Sequence, residues 1–216
     1  HTRWSGDWSS DVCSSDLKKV GLFRTKVKSG SLKLINKTIE KLNFDEIPDD
    51  NHIVIESNKS QGTIVIHSCF GTKINATLST LLSSMLSSLL GSVVDSRSDG
   101  YRIVLSSRSR ISEKLCLEVL NDDYDLYTIV TASLAGTHNV NWRTWCVAKK
   151  FGIVGRGAVY ERKSARFLYE RYSKTPLVHE ALRELFHDKY DLKNSETILN
   201  KIRTKEISVT WLEVDT

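Results

Sequence analysis

Two tryptophans and three cations share one short run, NVNWRTWCVAKKFG, Asn139–Gly152. Aromatic rings stack on nucleobases, and Lys or Arg neutralises phosphate, so this pairing of residue types suits a grip on single-stranded nucleic acid. At about 100° per residue, Val140, Thr144, Val147, Ala148 and Phe151 fall on one stripe, which is expected to face a core. Trp142, Trp145, Cys146 and Lys149 fall nearly opposite, with Arg143 and Lys150 on the shoulder. A second reading stays open, because tryptophan is usually part of an interface core: burial on both sides, the outer face against another domain.

Charge concentrates in the same region. Between His138 and Tyr172 the basic residues Arg143, Lys149, Lys150, Arg156, Arg162, Lys163, Arg166 and Arg171 face only Glu161 and Glu170. A phosphate track is one reading and a solvated charged face the other. The whole chain of 216 residues carries +5 and is 40% hydrophobic, enough for one ordinary core or two small ones. Only 2 prolines and 11 glycines argue against a long disordered linker.

Other chemistries find little support. Cys13, Cys69, Cys116 and Cys146 are widely spaced, which fits free thiols in a reducing cytoplasm. His67 and Cys69 sit on one face at a strand end, but no second ligand pair has zinc spacing, so no metal is expected. Neither a Gly-x-Ser-x-Gly elbow nor a His-Glu-x-x-His helix is present, and no catalytic residue is expected. The phosphate-loop pattern Gly-x4-Gly-Lys-Ser/Thr is absent, so ATP binding by that route is not expected of this chain. No apolar run reaches the roughly 18 residues of a membrane helix, and no membrane partner is expected.

The elements that must position these residues are legible as a series. Gly30–Phe44 has apolar residues at three- and four-residue spacing and predicts an amphipathic helix. Ile53–Glu56 and Thr63–His67 are β-branched runs that predict a hairpin. Ile74 to Leu89 follows a helical period ending at Gly91, a glycine C-cap. Tyr101–Leu105 predicts a third strand. Helices are then expected from Ser112 to Leu120, Tyr124 to Leu134, Asn139 or Asn141 to Phe151, Ala165 to Tyr172, Thr175–Pro176 to about Asp188, and Asn194 to about Arg203. The aspartates Asp122, Asp123 and Asp125 suit a helix N-terminus, and Thr175 followed by Pro176 is a helix start. Ile207–Trp211 predicts a last strand. The fold class is therefore α+β: a small β element with packed helices, residues 18–110, followed by a mainly helical half, residues 111–216, of the same region.

Residues 1–17, HTRWSGDWSSDVCSSDL, have no helical or strand period and resemble translated sequencing-adapter sequence. They are expected to be a non-native leader, the alternative being a disordered natural tail. The start on His1 rather than methionine adds the expectation that the chain begins within a longer protein. Without the leader, one arginine and three aspartates leave the count, and the net charge rises from +5 to +7.

Four runs in order carry a resemblance: IVIHSCFGTKINATL (Ile64–Leu78), SDGYRIVL (Ser98–Leu105), NWRTWCVAKKFGIV (Asn141–Val154) and KTPLVHEALRELFHDKYDL (Lys174–Leu192). Together they resemble the DEAD/H-associated region of the large helicase-related (Lhr) family, over roughly residues 20–209. The resemblance implies a DNA-contacting accessory region of an ATP-dependent superfamily 2 DNA helicase with a role in DNA repair. It implies single-stranded or partly duplex DNA as partner, together with RecA-like and winged-helix domains outside this chain. ATP and Mg would belong to those motor domains, and no cofactor to this segment. Arg143 matches the family, as do Lys73 and Asn75 after Gly71, where a helix N-terminus beside Lys73 suits a phosphate. Thr144 departs from it, standing where the family has an aromatic, so packing there is expected to be looser unless Trp145 compensates. The expected nucleic-acid-binding set is Trp142, Arg143, Trp145, Lys149, Lys150, Arg156, Lys73 and Asn75. Related tail modules resemble DNA glycosylase folds, so a base-excision module is one alternative and a non-catalytic docking scaffold another. Deleting residues 1–17 is expected to change the unfolding free energy by less than about 1 kcal/mol, the size of a typical damaging substitution, as read from denaturant melts.

Overall fold

The computed structural model describes residues 48–58 and 62–214. The leader and the helix expected at Gly30–Phe44 lie outside the described residues. The described residues form two compact units, one of those up to Asp122 together with those from Ser195, the other of Asp123–Asn194.

The first unit is built on a five-stranded sheet of order β3-β4-β2-β1-β5. Strands β1 (His52–Asn58) and β2 (Thr63–His67) pair antiparallel as the expected hairpin, with Ile55 opposite Ile66. Alternation then puts Ile53 and Ile55 of β1 and Ile64 and Ile66 of β2 on one face, all buried. Gly62 closes the hairpin at φ 60°, and a Cβ there would lie 2.4 Å from the carbonyl oxygen of Ser107, so only glycine fits. Helix α1 (Thr72–Leu90) buries Leu78, Leu81, Leu82 and Leu86, packs against β3 and β4, and ends at the left-handed Gly91. Strand β4 (Arg102–Ser107) is the expected third strand.

Strand β3 (Val94–Ser98, sequence VDSRS) was not legible. It is an edge strand with one strongly buried side chain, Val94, so no hydrophobic alternation announces it; pairing with β4 and a hydrogen bond from Val94 N–H to Ser87 Oγ hold it. The last strand, β5 (Ser208–Val214), lies parallel to β1, with Ile53 opposite Val209. The segment from Ser208 to Val214 thus returns to the sheet, and the two units divide at 122/123 and 194/195.

Asn75, expected among the nucleic-acid contacts, has a structural place instead. It is fully buried in the first turn of α1. Its Nδ2 donates to the carbonyls of Ser68 (2.8 Å) and Asp99 (2.9 Å), and its Oδ1 accepts from Ser68 Oγ at 3.1 Å. One amide thus fastens the β2–α1 connection and the β3–β4 turn to the helix, and little of it remains for a ligand.

The second unit is helical: α3 (Leu126–Leu134), α4 (His138–Lys150), α5 (Arg162–Arg171) and α6 (Pro176–Lys189), preceded in the chain by α2 (Glu113–Asn121) of the sheet unit. Helix α7 (Leu192–Arg203) begins in the helical unit and crosses the division at Ser195. Ser112 caps α2 by accepting from Leu115 N–H, and Asp125 caps α3 by accepting from Thr128 N–H; the Thr128 hydroxyl, donating to the same carboxyl at 2.6 Å, and then that N–H hold the Asp125 carboxyl below its ordinary range. Thr175 occupies the N-cap position of α6, but its hydroxyl donates to the Tyr172 carbonyl that ends α5. Among the described residues no helix is long and apolar enough to cross a membrane.

Asn75→Ala is expected to cost about 2–3 kcal/mol in a denaturant melt, because buried carbonyls and a hydroxyl lose their partner. Asn75→Asp should not restore stability, since a carboxylate cannot donate to the two carbonyls.

Candidate nucleic-acid interface

Helix α4 packs against both α5 and α6. Two flanking helices widen its buried arc beyond the stripe expected from the wheel. Val140, Asn141, Thr144, Trp145, Val147 and Ala148 are all buried. Trp145, expected on the outer face, is only 6% exposed and joins a core with Ala165 and Leu168 of α5 and Leu177 and Ala181 of α6. Phe151, expected on the core stripe, occupies the C-cap and is 55% exposed. Thr144 is fully buried where its stripe predicts.

The α4 cations also divide. Arg143 donates to Glu184 at 3.2 Å and to Asp188 at 2.5 Å, both on α6. Lys150 donates to the other Glu184 oxygen at 2.7 Å. The Lys150 hydrogen bond, with Arg143 beside it, holds the Glu184 carboxyl below its ordinary range against the opposing effect of partial burial. The Arg143 hydrogen bond, helped by His187, does the same for Asp188. Two of the expected phosphate contacts are thus internal ion pairs that fasten α4 to α6. Lys149 donates to the Ala158 carbonyl at 2.9 Å and holds the following loop.

That loop carries Tyr160, which sequence reasoning did not single out. Its ring meets Trp142 edge-on at 4.7 Å and Trp145 at 5.9 Å, and its hydroxyl is 3.2 Å from His138 Nδ1. Trp142 keeps 45% of its surface exposed within this cluster. Arg156, on the same loop, is exposed. Lys73 is exposed in the first turn of α1, in the sheet unit.

Helix α5 presents the outward chemistry. Ala165 and Leu168 are buried, while Arg162, Lys163, Arg166, Phe167 and Arg171 are exposed. The Arg171 guanidinium stands 5.9 Å from the centroid of Phe167, a ring 57% exposed, and Arg166 pairs with Glu170 one turn on. Arg162 and Lys163 occupy the first turn, where the helix dipole disfavours positive charge, so local stability does not account for them. Phe167, Lys163, Ser164 and Glu161 line an open depression of about 450 Å³ with Trp145, Val154 and Leu168 behind them. The signal for Phe167 was available: a phenylalanine between Lys163 and Arg171, opposite the small apolar stripe of its own helix.

Residues 47–216 match the family described as DEAD/H associated. The chain is 24% identical over 187 residues to ATP-dependent helicase Lhr-Core protein 2 of Thermococcus barophilus, covering 80% of this chain and 22% of that protein. Its fold is similar to that in the structure of Mycobacterium smegmatis helicase Lhr bound to ssDNA and AMP-PNP, with TM-score 0.63 and 20% identity over 79% of this chain and 23% of that one. The chain spans less than a quarter of the length of either relative.

The ion-pair network between α4 and α6 makes a pH-dependent prediction. Glu184→Gln is expected to cost about 1 kcal/mol at pH 7, as partly exposed charged hydrogen bonds usually do. The folded carboxyl titrates below the unfolded value of about 4.3, so its contribution is whole above that pH and is lost as pH falls through the folded value. Urea melts of wild type and variant should therefore differ at neutral pH and converge in acid.

Proposed function

The chain belongs to the DEAD/H associated family, and on that premise we propose that it is a DNA-contacting accessory region of an ATP-dependent superfamily 2 helicase, gripping single-stranded DNA on the helical unit. The observation that carries this reading is α5, which exposes Lys163, Arg166 and Arg171 together with Phe167, the Arg171 guanidinium lying over that ring. Cations there track a phosphate backbone, and the ring stacks a base whatever its sequence. Trp142 on α4 and Arg156 on the loop after it are also exposed and belong to the proposed contact set. Arg143 and Lys150 serve it indirectly, by fixing α4 on α6.

The likeness to a helicase whose structure holds ssDNA and AMP-PNP supports the choice of partner. ATP hydrolysis is assigned to motor domains of such a helicase outside this segment, in line with the absent phosphate loop.

Fluorescence anisotropy with a labelled single-stranded oligonucleotide across a salt series tests the proposal. Lys163→Ala combined with Arg171→Ala should weaken binding and flatten the slope of log K against log salt by about 0.7 for each phosphate no longer neutralised. Trp142→Ala should cost about 1–3 kcal/mol with little change of slope if a base stacks there. Arg143→Ala should lower thermal stability more than it changes the salt slope. Unchanged affinity and slope in the folded α5 and Trp142 variants would overturn the proposal and favour a docking surface for other helicase domains.

A further inference from the structure

The depression beside α5 places an aromatic wall, an acceptor and a cation around one open volume of about 450 Å³, within the size of small-ligand clefts. Phe167 forms the wall, with Arg171 over its ring, and Trp145 lies behind. On the rim, Ser164 Oγ donates to Glu161 Oε2 at 2.7 Å, which leaves the second carboxylate oxygen for a further donor. Glu161 holds the N-cap position of α5 yet makes no side-chain capping hydrogen bond. A carboxylate on a phosphate-binding surface weakens binding by repulsion, unless it meets a hydrogen-bond donor of the ligand. Lys163, on the same rim, supplies donors only.

Building on the single-strand reading above, we infer that this depression receives one unstacked nucleobase and prefers a base with an exocyclic amine. The base stacks on Phe167, as bases of single strands do on aromatic side chains. The amine at N4 of cytosine donates to Glu161, an ionised carboxylate that accepts and cannot donate. Thymine places O4 where that amine would be, so two acceptors face each other there and the hydrogen bond made by the cytosine amine is lost. Lys163 is then left for the adjoining phosphate. The grip on the backbone is indifferent to sequence, and this pocket would add a local preference to it.

The test compares labelled oligodeoxycytidine with oligothymidine of equal length, by anisotropy at neutral pH, using the whole chain. Both are pyrimidine strands, so differences in purine stacking do not enter. The wild-type chain is expected to bind the cytosine strand about tenfold more tightly, the factor that 1.4 kcal/mol makes. Glu161→Gln removes a negative charge and should strengthen binding to both strands, so the ratio of affinities is the diagnostic. That ratio should fall to near one, because a carboxamide offers thymine O4 a donor as readily as it offers cytosine an acceptor. Glu161→Ala, which removes the acceptor without adding a donor, should abolish the preference too. Phe167→Ala should weaken both strands by a similar factor. Equal affinity of wild type for the two strands, or a ratio untouched by either Glu161 change, overturns the inference. Equal but salt-sensitive binding that falls with Phe167→Ala would leave the single-strand grip standing without the base preference. Binding to neither strand would remove both.

Discussion

Helix α4 is held between α5 and α6, and the rest of the helical unit follows from that position. Hiding six of thirteen residues takes more than the usual stripe of an amphipathic helix. Trp145 is drawn into the core as a result. Arg143 and Lys150, on the flank toward α6, meet Glu184 and Asp188 and are neutralised there. Arg143, the more buried of the two, leaves an uncompensated charge if its acidic partners on α6 are removed. What α4 cannot display, α5 does: its short apolar stripe, Ala165 and Leu168, leaves Arg162, Lys163, Arg166, Phe167 and Arg171 outward.

The sheet unit rests on a comparable economy of polar contacts. Asn75 joins the connection after β2 to the turn between β3 and β4, so the N-terminus of α1 is tied to two places at once. That turn is itself fastened by Asp99, which accepts from the N–H groups of Tyr101 and Arg102. Strand β5 pairs parallel to β1, an arrangement that demands a long crossover. The helical unit, residues Asp123–Asn194, lies within that crossover in the chain.

Several elements were legible from local signals. The hairpin of β1 and β2 showed itself by β-branched runs, α1 by its leucine period and Gly91, and α2 and α3 by Ser112 and Asp125. These signals work because backbone propensity, capping and turn geometry are decided within a few residues. Strand β3 had no such signal, since an edge strand of mostly exposed polar residues is made by its neighbour. Lys149 shows the same limit for the site: its charge was evident, and its bond to the Ala158 carbonyl was not.

The amino-acid sequence by itself determined the α+β class, the order of most elements, the concentration of cations between His138 and Tyr172, and the want of a phosphate loop. Only the tertiary structure decided which cations face outward. Periodicity assigns each side chain an angle around its own helix, but the width of the buried arc depends on how many helices pack against it. That number is set by contacts far apart in the chain: α4 with α6, whose partner residues Arg143 and Glu184 lie 41 positions apart. For the same reason Arg162, Lys163, Arg166, Phe167 and Arg171 of α5 stay exposed while Trp145 of α4 is buried. A tryptophan and an arginine are equally able to bind a base or to build a core, and the neighbours that fold brings beside them choose between the two.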